Sequence, residues 1–440
     1  MVTREQLQRI HQQLKSLKES KVLDGDGADK SENLHRLFMY PAMMVPATQY
    51  AVIQAVADTM PRGAWAIDPF MGSGTSLMSC MEFGFNVYGQ DINPFAVMLT
   101  KAKVAHYDID KLKTVCQNVI DTIRQDCNQT VDVSFTNIDK WFNKDIQIEL
   151  SKVRRAIQAV DEQTIRFFLW VIMSEVIRTG SNDRTSTFKL HRRTEEDIEK
   201  RNINVLKEFI FLVQRGLEDI ESYWSKLEAE NHNCDINLNV ESDIRWGDSK
   251  DDVPADVKFD LLVSSPPYGD NHTTVTYGQT SYLPLQWIDS KDLTCPYDYI
   301  KTTQEIDRQS LGGRINKSKI LATIKSVYEH TPSLRFFFES IPIEEQPKYY
   351  KTLSFISDFD VSLDNIVASM KDDAFYIWTI GNRFVASREV PNDQILIDLM
   401  AARGINLFDR AERQILNKKQ ARKNSCSQTM EKEHILIFRK

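Results

Sequence analysis

The stretch GAWAIDPFMGSGTSLMSCMEFGFNVYGQDINPFAVMLTKAKVA, Gly63 to Ala105, decides the fold. Trp65 to Ile67 reads as a short buried strand, Asp68 to Thr75 as a glycine turn, and Ser76 to Phe83 as a helix. A second strand, Asn86 to Gly89, ends in Asp91, and a helix from Pro94 to about Val104 follows. Strand, turn, helix, strand and helix in this succession belong to a doubly wound α/β sheet. Gly72 and Gly74 let the backbone turn tightly and admit a ligand that a Cβ would obstruct, and the helix behind them offers free N–H groups. Asp91, about 20 residues on at a strand tip, is placed to accept from ribose hydroxyls. A phosphate cradle fits poorly, because the turn has neither Gly-Lys-Ser/Thr nor the third glycine of a dinucleotide fingerprint. An adenosine cofactor without phosphates fits better, and S-adenosylmethionine is the obvious one.

Further along, FDLLVSSPPYGDNHTTV, Phe259 to Val275, sets a run of apolar strand formers against two prolines and an aromatic. Leu261 to Val263 reads as a buried parallel strand. Pro266 and Pro267 have no N–H for a ladder, so the chain must leave the sheet at its carboxyl end as a stiff segment. That edge is where open α/β sheets bind ligands.

The remainder frames these two stretches. At 440 residues with 42% hydrophobic and 27% charged composition, the chain is sized for a large core plus a second unit. No apolar run approaches the roughly 20 residues that span a bilayer, and the N-terminus lacks a secretory apolar segment, so a cytoplasmic location is expected. The six cysteines are scattered without metal or disulfide spacing, so no metal site is expected. Net charge is −7, so any nucleic-acid contact must come from local patches. Leu7, Ile10, Leu14 and Leu17 mark an amphipathic first helix, and Val22 to Asn33 a polar linker. A helix is expected to start near Pro46. Residues of about 106 to 235 read as long helical segments; strands are expected again after Ser242 and around Phe375 to Ile380, and EHILIFRK closes the sheet.

Five motifs in order resemble the S-adenosylmethionine-dependent amino-methyltransferases of DNA. HRLFMYPAMMVPATQY looks like that family's cofactor-lining motif, DPFMGSGT its glycine motif, GQDINP its ribose-binding acid, WGDSKD its adenine-edge motif and SSPPY its catalytic motif. The resemblance implies a Rossmann-like class I methyltransferase fold, doubly wound and mostly parallel, with a large helical insertion. The domain reading is a helix and linker over 1–33, a first catalytic part over 34–105, the insertion and possible target-recognition region over 106–240, and a second catalytic part over 241–440. The adenine-edge motif follows the insertion instead of preceding it, which leaves the recognition region open. Tyr40, Pro41, Asp68, Phe70, Gly72, Gly74, Thr75, Asp91, Ile92 and Asp248 are expected to hold the cofactor, and Ser265, Pro266, Pro267 and Tyr268 the base. Family members methylating adenine N6 usually carry Asp or Asn at the first position of the tetrapeptide, and those methylating cytosine N4 usually carry Ser. Here it is Ser265.

The tetrapeptide makes chemical sense by itself. An exocyclic amine conjugated to a base is a poor nucleophile; acceptors that bind its hydrogens as it pyramidalises restore the lone pair, and they act best when preorganised. The Ser265 hydroxyl and Pro266 carbonyl are such acceptors, and Tyr268 can stack on a base rotated out of the duplex. Two basic stretches, with Arg184, Lys189, Arg192 and Arg193 in one and Arg410, Arg413, Lys418 and Lys419 in the other, are candidates for phosphate contacts. The reading is a cytosine-N4 methyltransferase of duplex DNA, with a restriction or defence partner. Its alternatives are adenine N6, guanine N2 of RNA, and a non-catalytic nucleic-acid-binding relative.

Overall fold

The computed structural model describes residues 2–25, 32–187, 189–234, 240–254, 256–271, 274–316, 320–415 and 430–440. Its strands are β1 (Trp65–Asp68), β2 (Asn86–Asp91), β3 (Ser242–Trp246), β4 (Phe259–Ser264), β5 (Met370–Ile380), β6 (Arg383–Val385), β7 (Arg388–Val390), β8 (Asn406–Gln414) and β9 (Lys432–Arg439). Seven of them form one sheet in the order β3-β2-β1-β4-β5-β9-β8, and β6 pairs with β7 in a small hairpin. The first five strands of that order run parallel, whereas β9 is antiparallel to both neighbours, so β8 again runs with the majority. This is the doubly wound, mostly parallel Rossmann-like sheet. The C-terminal EHILIFRK joins the sheet, as expected, and enters between β5 and β8.

Side chains that alternate along each strand divide the core between the two faces. Ala66, Leu261, Val263, Ile377 and Ile437 join one apolar cluster, while Ile67, Leu262, Trp378, Leu436 and Phe438 join the other. The second face is covered by Ile320–His330, Pro332–Glu339, Tyr350–Ser369 and Asn392–Ala401. The first face is covered by Pro46–Ala57, Thr75–Met81 and Pro94–Val104, and beyond them by the helices of the 106–240 segment.

That segment, expected as an insertion, packs as a layer of the same core. Its long helical stretch breaks near Ala159 into Lys144–Gln158 and Gln163–Gly180. Phe168 to Met173 are buried without interruption, as in a helix surrounded on all sides. Each such side chain contributes about 1.5–3 kcal/mol by burial, so this helix cannot be lifted away as an appended module. The first helix, Arg4–Glu19, is fixed by a capping box between Thr3 and Gln6 and buries Ile10 and Leu14. No helix among the described residues is long and apolar enough to cross a membrane.

Connections from β1 through β3 step one way across the sheet and those from β4 to β5 step the other way. The switch point therefore lies between β1 and β4, and the crevice outside their carboxyl ends is where such sheets place ligands.

Candidate active site

A cavity opens at that switch point, where a sheet of this kind places a small-molecule site. Successive strand tips supply its wall: Phe70 to Ser73 after β1, Asp91 to Asn93 after β2, Gly247 to Ser249 after β3, and Ser265 and Pro267 after β4. Tyr40 to Met44 close it from the N-terminal side, and Asn271, Tyr277, Ile306, Ser310 and Leu311 from the loops that follow β4. Two carboxylates, Asp91 and Asp248, line it, and no lysine or arginine does among the described residues.

The glycine turn is held from several directions. Gly72 and Gly74 have φ of +49° and +74°, a region that side chains other than glycine enter at a cost. At Gly74 a Cβ would also meet Thr100 Cγ2 at 2.8 Å. Gly72 N–H donates to Asp91 Oδ2 (2.9 Å) and Asn93 N–H donates to Asp91 Oδ1 (2.8 Å). Burial outweighs these bonds and pushes the Asp91 carboxyl up to about 6. Beneath the turn, the buried Lys103 donates to the Ser73 carbonyl (2.8 Å), and burial pulls its ammonium down to about 7. His35 lies at the same floor. Its Nε2 is 2.8 Å from Thr75 Oγ1, and burial, reinforced by Lys103, pushes its pKa down to about 3.

Several expected site residues stand elsewhere. Asp68 is fully buried behind the turn; its Oδ1 accepts from Ser264 Oγ (2.6 Å) and Phe70 N–H (3.0 Å), its Oδ2 from Ser76 Oγ, and burial raises its carboxyl to about 6. It ties β1, β4 and the helix after the turn together instead of facing the cavity. Gly74 likewise shapes the turn from outside the wall, and Pro266 is buried next to the lining residues Ser265 and Pro267.

Tyr268 departs most from expectation. Its ring lies so close to Gly381 that a Cβ there would meet Tyr268 Cδ2 at 2.9 Å, with Met430 Sδ at 2.1 Å. The phenol donates to Glu433 Oε1 (2.9 Å) and lies 3.2 Å from Ser265 Oγ. The cavity wall is made by the neighbouring Ser265 and Pro267, so the ring is packed behind the platform it was expected to form.

Sequence reasoning passed over Asn93, which links three elements by donating from Nδ2 to Tyr40 Oη (3.0 Å) and Ser281 Oγ (2.8 Å). Its place as the helix cap before Pro94 was a readable signal. Tyr40 and Tyr277 stack with centroids 5.8 Å apart. Asp307 accepts from Gly278 N–H (3.1 Å), and burial raises its carboxyl to about 7.

Beside this cavity runs a second cleft with Met39, Arg178, Lys189, Thr185 to Thr187, Thr280 and Leu283 on its walls. Lys189 is exposed there, and Arg184 is exposed on the same loop outside the cleft's lining. Arg192, expected to be free for phosphates, is instead paired with Glu195 and donates to the Lys140 carbonyl (3.0 Å). Arg193 donates to the Arg184 carbonyl (3.2 Å) and so braces its own loop. In the other basic stretch Arg410 pairs with Asp393 (2.8 Å) and Arg413 with Glu433 (2.6 Å), while Lys418 and Lys419 lie outside the described residues.

With this geometry the chain is 32% identical to the type II methyltransferase M.MvaI of Kocuria varians, over 93% of this chain and 91% of that one. The chain belongs to the type II DNA methyltransferases. A shorter match, 31% identical, joins 26% of this methyltransferase to 22% of the type II methyltransferase M.MjaII of Methanocaldococcus jannaschii. The rRNA methyltransferase aviRa of Streptomyces viridochromogenes aligns over 95% of this chain and 96% of its own at 10% identity and a TM-score of 0.30, too loose a likeness to bear on the fold. No family model matches. The methyl donor is S-adenosylmethionine. The cavity suits it, since it offers carboxylates, apolar walls from Met43, Met44, Phe70 and Ile92, and, among the described residues, no lysine or arginine in its lining to hold a phosphate.

Proposed function

We propose that this methyltransferase methylates the exocyclic N4 of cytosine in duplex DNA at a specific sequence, on a base rotated into the cavity. The observation that carries this reading is Ser265 on the wall shared with Asp91 and Gly72: the first position of the tetrapeptide offers a hydroxyl where an amide or carboxylate would stand for adenine.

In this reading Asp91 accepts from the ribose hydroxyls of the donor, Asp248 from its adenine edge, and Tyr40, Pro41, Phe70, Thr75 and Ile92 enclose it. S-adenosylmethionine supplies an electrophilic methyl group bound to a sulfonium sulfur. Ser265 and the Pro266 carbonyl accept from the two amine hydrogens, which localises the nitrogen lone pair for attack on the methyl carbon. The new N–C bond forms as the C–S bond breaks, its electron pair returns to sulfur, and the amine then gives up one proton to water. Pro266 and Pro267 keep the acceptors still, and the apolar walls exclude bulk water around them. A base inside the duplex cannot reach such a site without leaving the stack. Lys189, exposed on the neighbouring cleft, and Arg184, exposed on the same loop, would meet the phosphate backbone.

The reading is tested by expressing the protein in a host without N4-methylcytosine and digesting its DNA to nucleosides. N4-methyldeoxycytidine is expected; N6-methyldeoxyadenosine in its place would refute the assignment.

A further inference from the structure

A serine hydroxyl is an ambiguous group, because it can donate into a cavity as readily as it accepts. If Ser265 is to accept from an amine, something must hold its proton away. We propose that Glu433 is a positioning residue which, through the Tyr268 hydroxyl, turns Ser265 so that its oxygen lone pairs and not its proton face the cavity. The inference rests on the amine-acceptor reading of Ser265 given above.

The direction of each bond follows from which groups can donate. Glu433 is a carboxylate and can only accept. The Tyr268 proton therefore goes to Glu433 Oε1 at 2.9 Å. The Tyr268 oxygen, 3.2 Å from Ser265 Oγ, is then left to accept, and the Ser265 proton is the one that serves this contact. Burial and the Glu433 charge hold the Tyr268 phenol well above its ordinary range, so the chain keeps its proton at neutral pH.

The chain is anchored at its far end. Arg413 Nε donates to Glu433 Oε2 at 2.6 Å, and both side chains are nearly buried, at 11% and 12% exposure. The Tyr268 ring is wedged against Gly381, and Asn392 Nδ2 donates to the carbonyls of Tyr268 (3.2 Å) and Gly381 (2.9 Å). Serine, tyrosine, carboxylate and guanidinium thus form one line from the cavity wall into β9 and β8.

The polarity of this line can be reversed by a single atom. In Glu433→Gln the guanidinium still demands an oxygen, so the amide turns its NH2 toward Tyr268. The phenol must then accept from Gln and donate to Ser265, and the serine proton swings into the cavity, where it opposes the amine hydrogens. A merely structural role for Glu433 predicts none of this.

The test is single-turnover methyl transfer at saturating duplex DNA and S-adenosylmethionine. It compares wild type, Glu433→Gln, Tyr268→Phe, their double variant and Ser265→Ala, with thermal melting of each. Glu433→Gln should slow transfer about tenfold, the scale of one lost hydrogen bond to a charged group, with DNA and donor affinities within about twofold of wild type. In the Tyr268→Phe background it should have no further effect, because the hydroxyl that transmits it is gone. Should Glu433→Gln fail to fold, Tyr268→Phe alone must still slow transfer several-fold by freeing the serine proton. An unaltered rate in either single variant overturns the inference, and so does an equal factor from Glu433→Gln with and without the Tyr268 hydroxyl. If Ser265→Ala itself transfers at the wild-type rate, the amine-acceptor reading fails and takes this one with it; if it is slow while the other two are not, this inference alone fails.

Discussion

Asp91→Asn removes one charge and changes one atom, so its effect can be worked from the contacts around it. In wild type both carboxylate oxygens are already engaged, one by Gly72 N–H and one by Asn93 N–H, with lone pairs left over for the cavity. The amide can satisfy only one of these backbone donors, because its NH2 must oppose the other, and it no longer offers an acceptor pair to a diol. Loss of a hydrogen bond to a charged group costs about 1.5–3 kcal/mol, which predicts donor affinity weakened by about ten- to a hundredfold. Titration calorimetry with S-adenosylmethionine reads this directly, and a melting curve separates it from misfolding. The carboxyl also titrates near the working range, at about 6 in the folded protein against 3.8 for a free side chain. Since the ionised form is the better acceptor, wild-type affinity should rise as pH goes from about 5 to 7 and level off above. For folding the sign is opposite: with its pKa raised, this carboxyl's contribution is fullest below 3.8 and lost as pH climbs through 6. Asp68 and Asp307 are also raised, so the decisive comparison is between wild type and Asp91→Asn, where the Asp91 component of the affinity profile should vanish. Wild-type affinity in the variant, with the pH dependence intact, would refute the placement of the donor against Asp91.

The other expectations are briefer. Neutralising Arg184 and Lys189 together should weaken binding to all duplexes and flatten the salt dependence by about two phosphate contacts, each worth a slope of roughly 0.9. Arg192→Ala, whose guanidinium is already paired with Glu195, should leave that slope unchanged; both are read from affinity at several salt concentrations. Gly74→Ala, strained by its φ of +74° and by Thr100, should lower the melting temperature more than Gly72→Ala, where the nearest atom to a Cβ is 3.5 Å away; the φ penalty alone is about 1–2 kcal/mol. Ser265→Ala should reduce turnover at least about tenfold while sparing DNA affinity, because its acceptor matters most as the amine pyramidalises; steady-state kinetics beside a DNA-binding assay check this.

What could be read from the sequence was what lies within one strand and its tip. Trp65 to Val104 has strands, turn and helices within a few residues of one another, and each cavity motif is a strand end that the parallel sheet brings to one edge. Contacts that close over long separations were not legible. Nothing in EHILIFRK marks Glu433 as the partner of a tyrosine 165 residues earlier, and Asn93 meets Ser281 across 188. Asp68 shows the same limit: its acidic position after a strand suggests a ligand, but Ser264 arrives from β4 and claims the carboxylate. Lys103 and Arg192 did carry signals. A lysine among Phe95 to Val104 announces a buried partner, and Glu195 three residues beyond Arg192 announces a pair.

The proposed transfer to cytosine N4 at the Ser265 wall is tested most directly on the purified protein. Purified protein should be incubated with duplex DNA, or with RNA of the same sequence, and tritium-labelled S-adenosylmethionine, and the product digested to nucleosides and separated. Label should collect in N4-methyldeoxycytidine from duplex DNA and be strongly reduced with Ser265→Ala. Label in methylated adenine or in RNA guanine, or label in cytosine undiminished by Ser265→Ala, would contradict it.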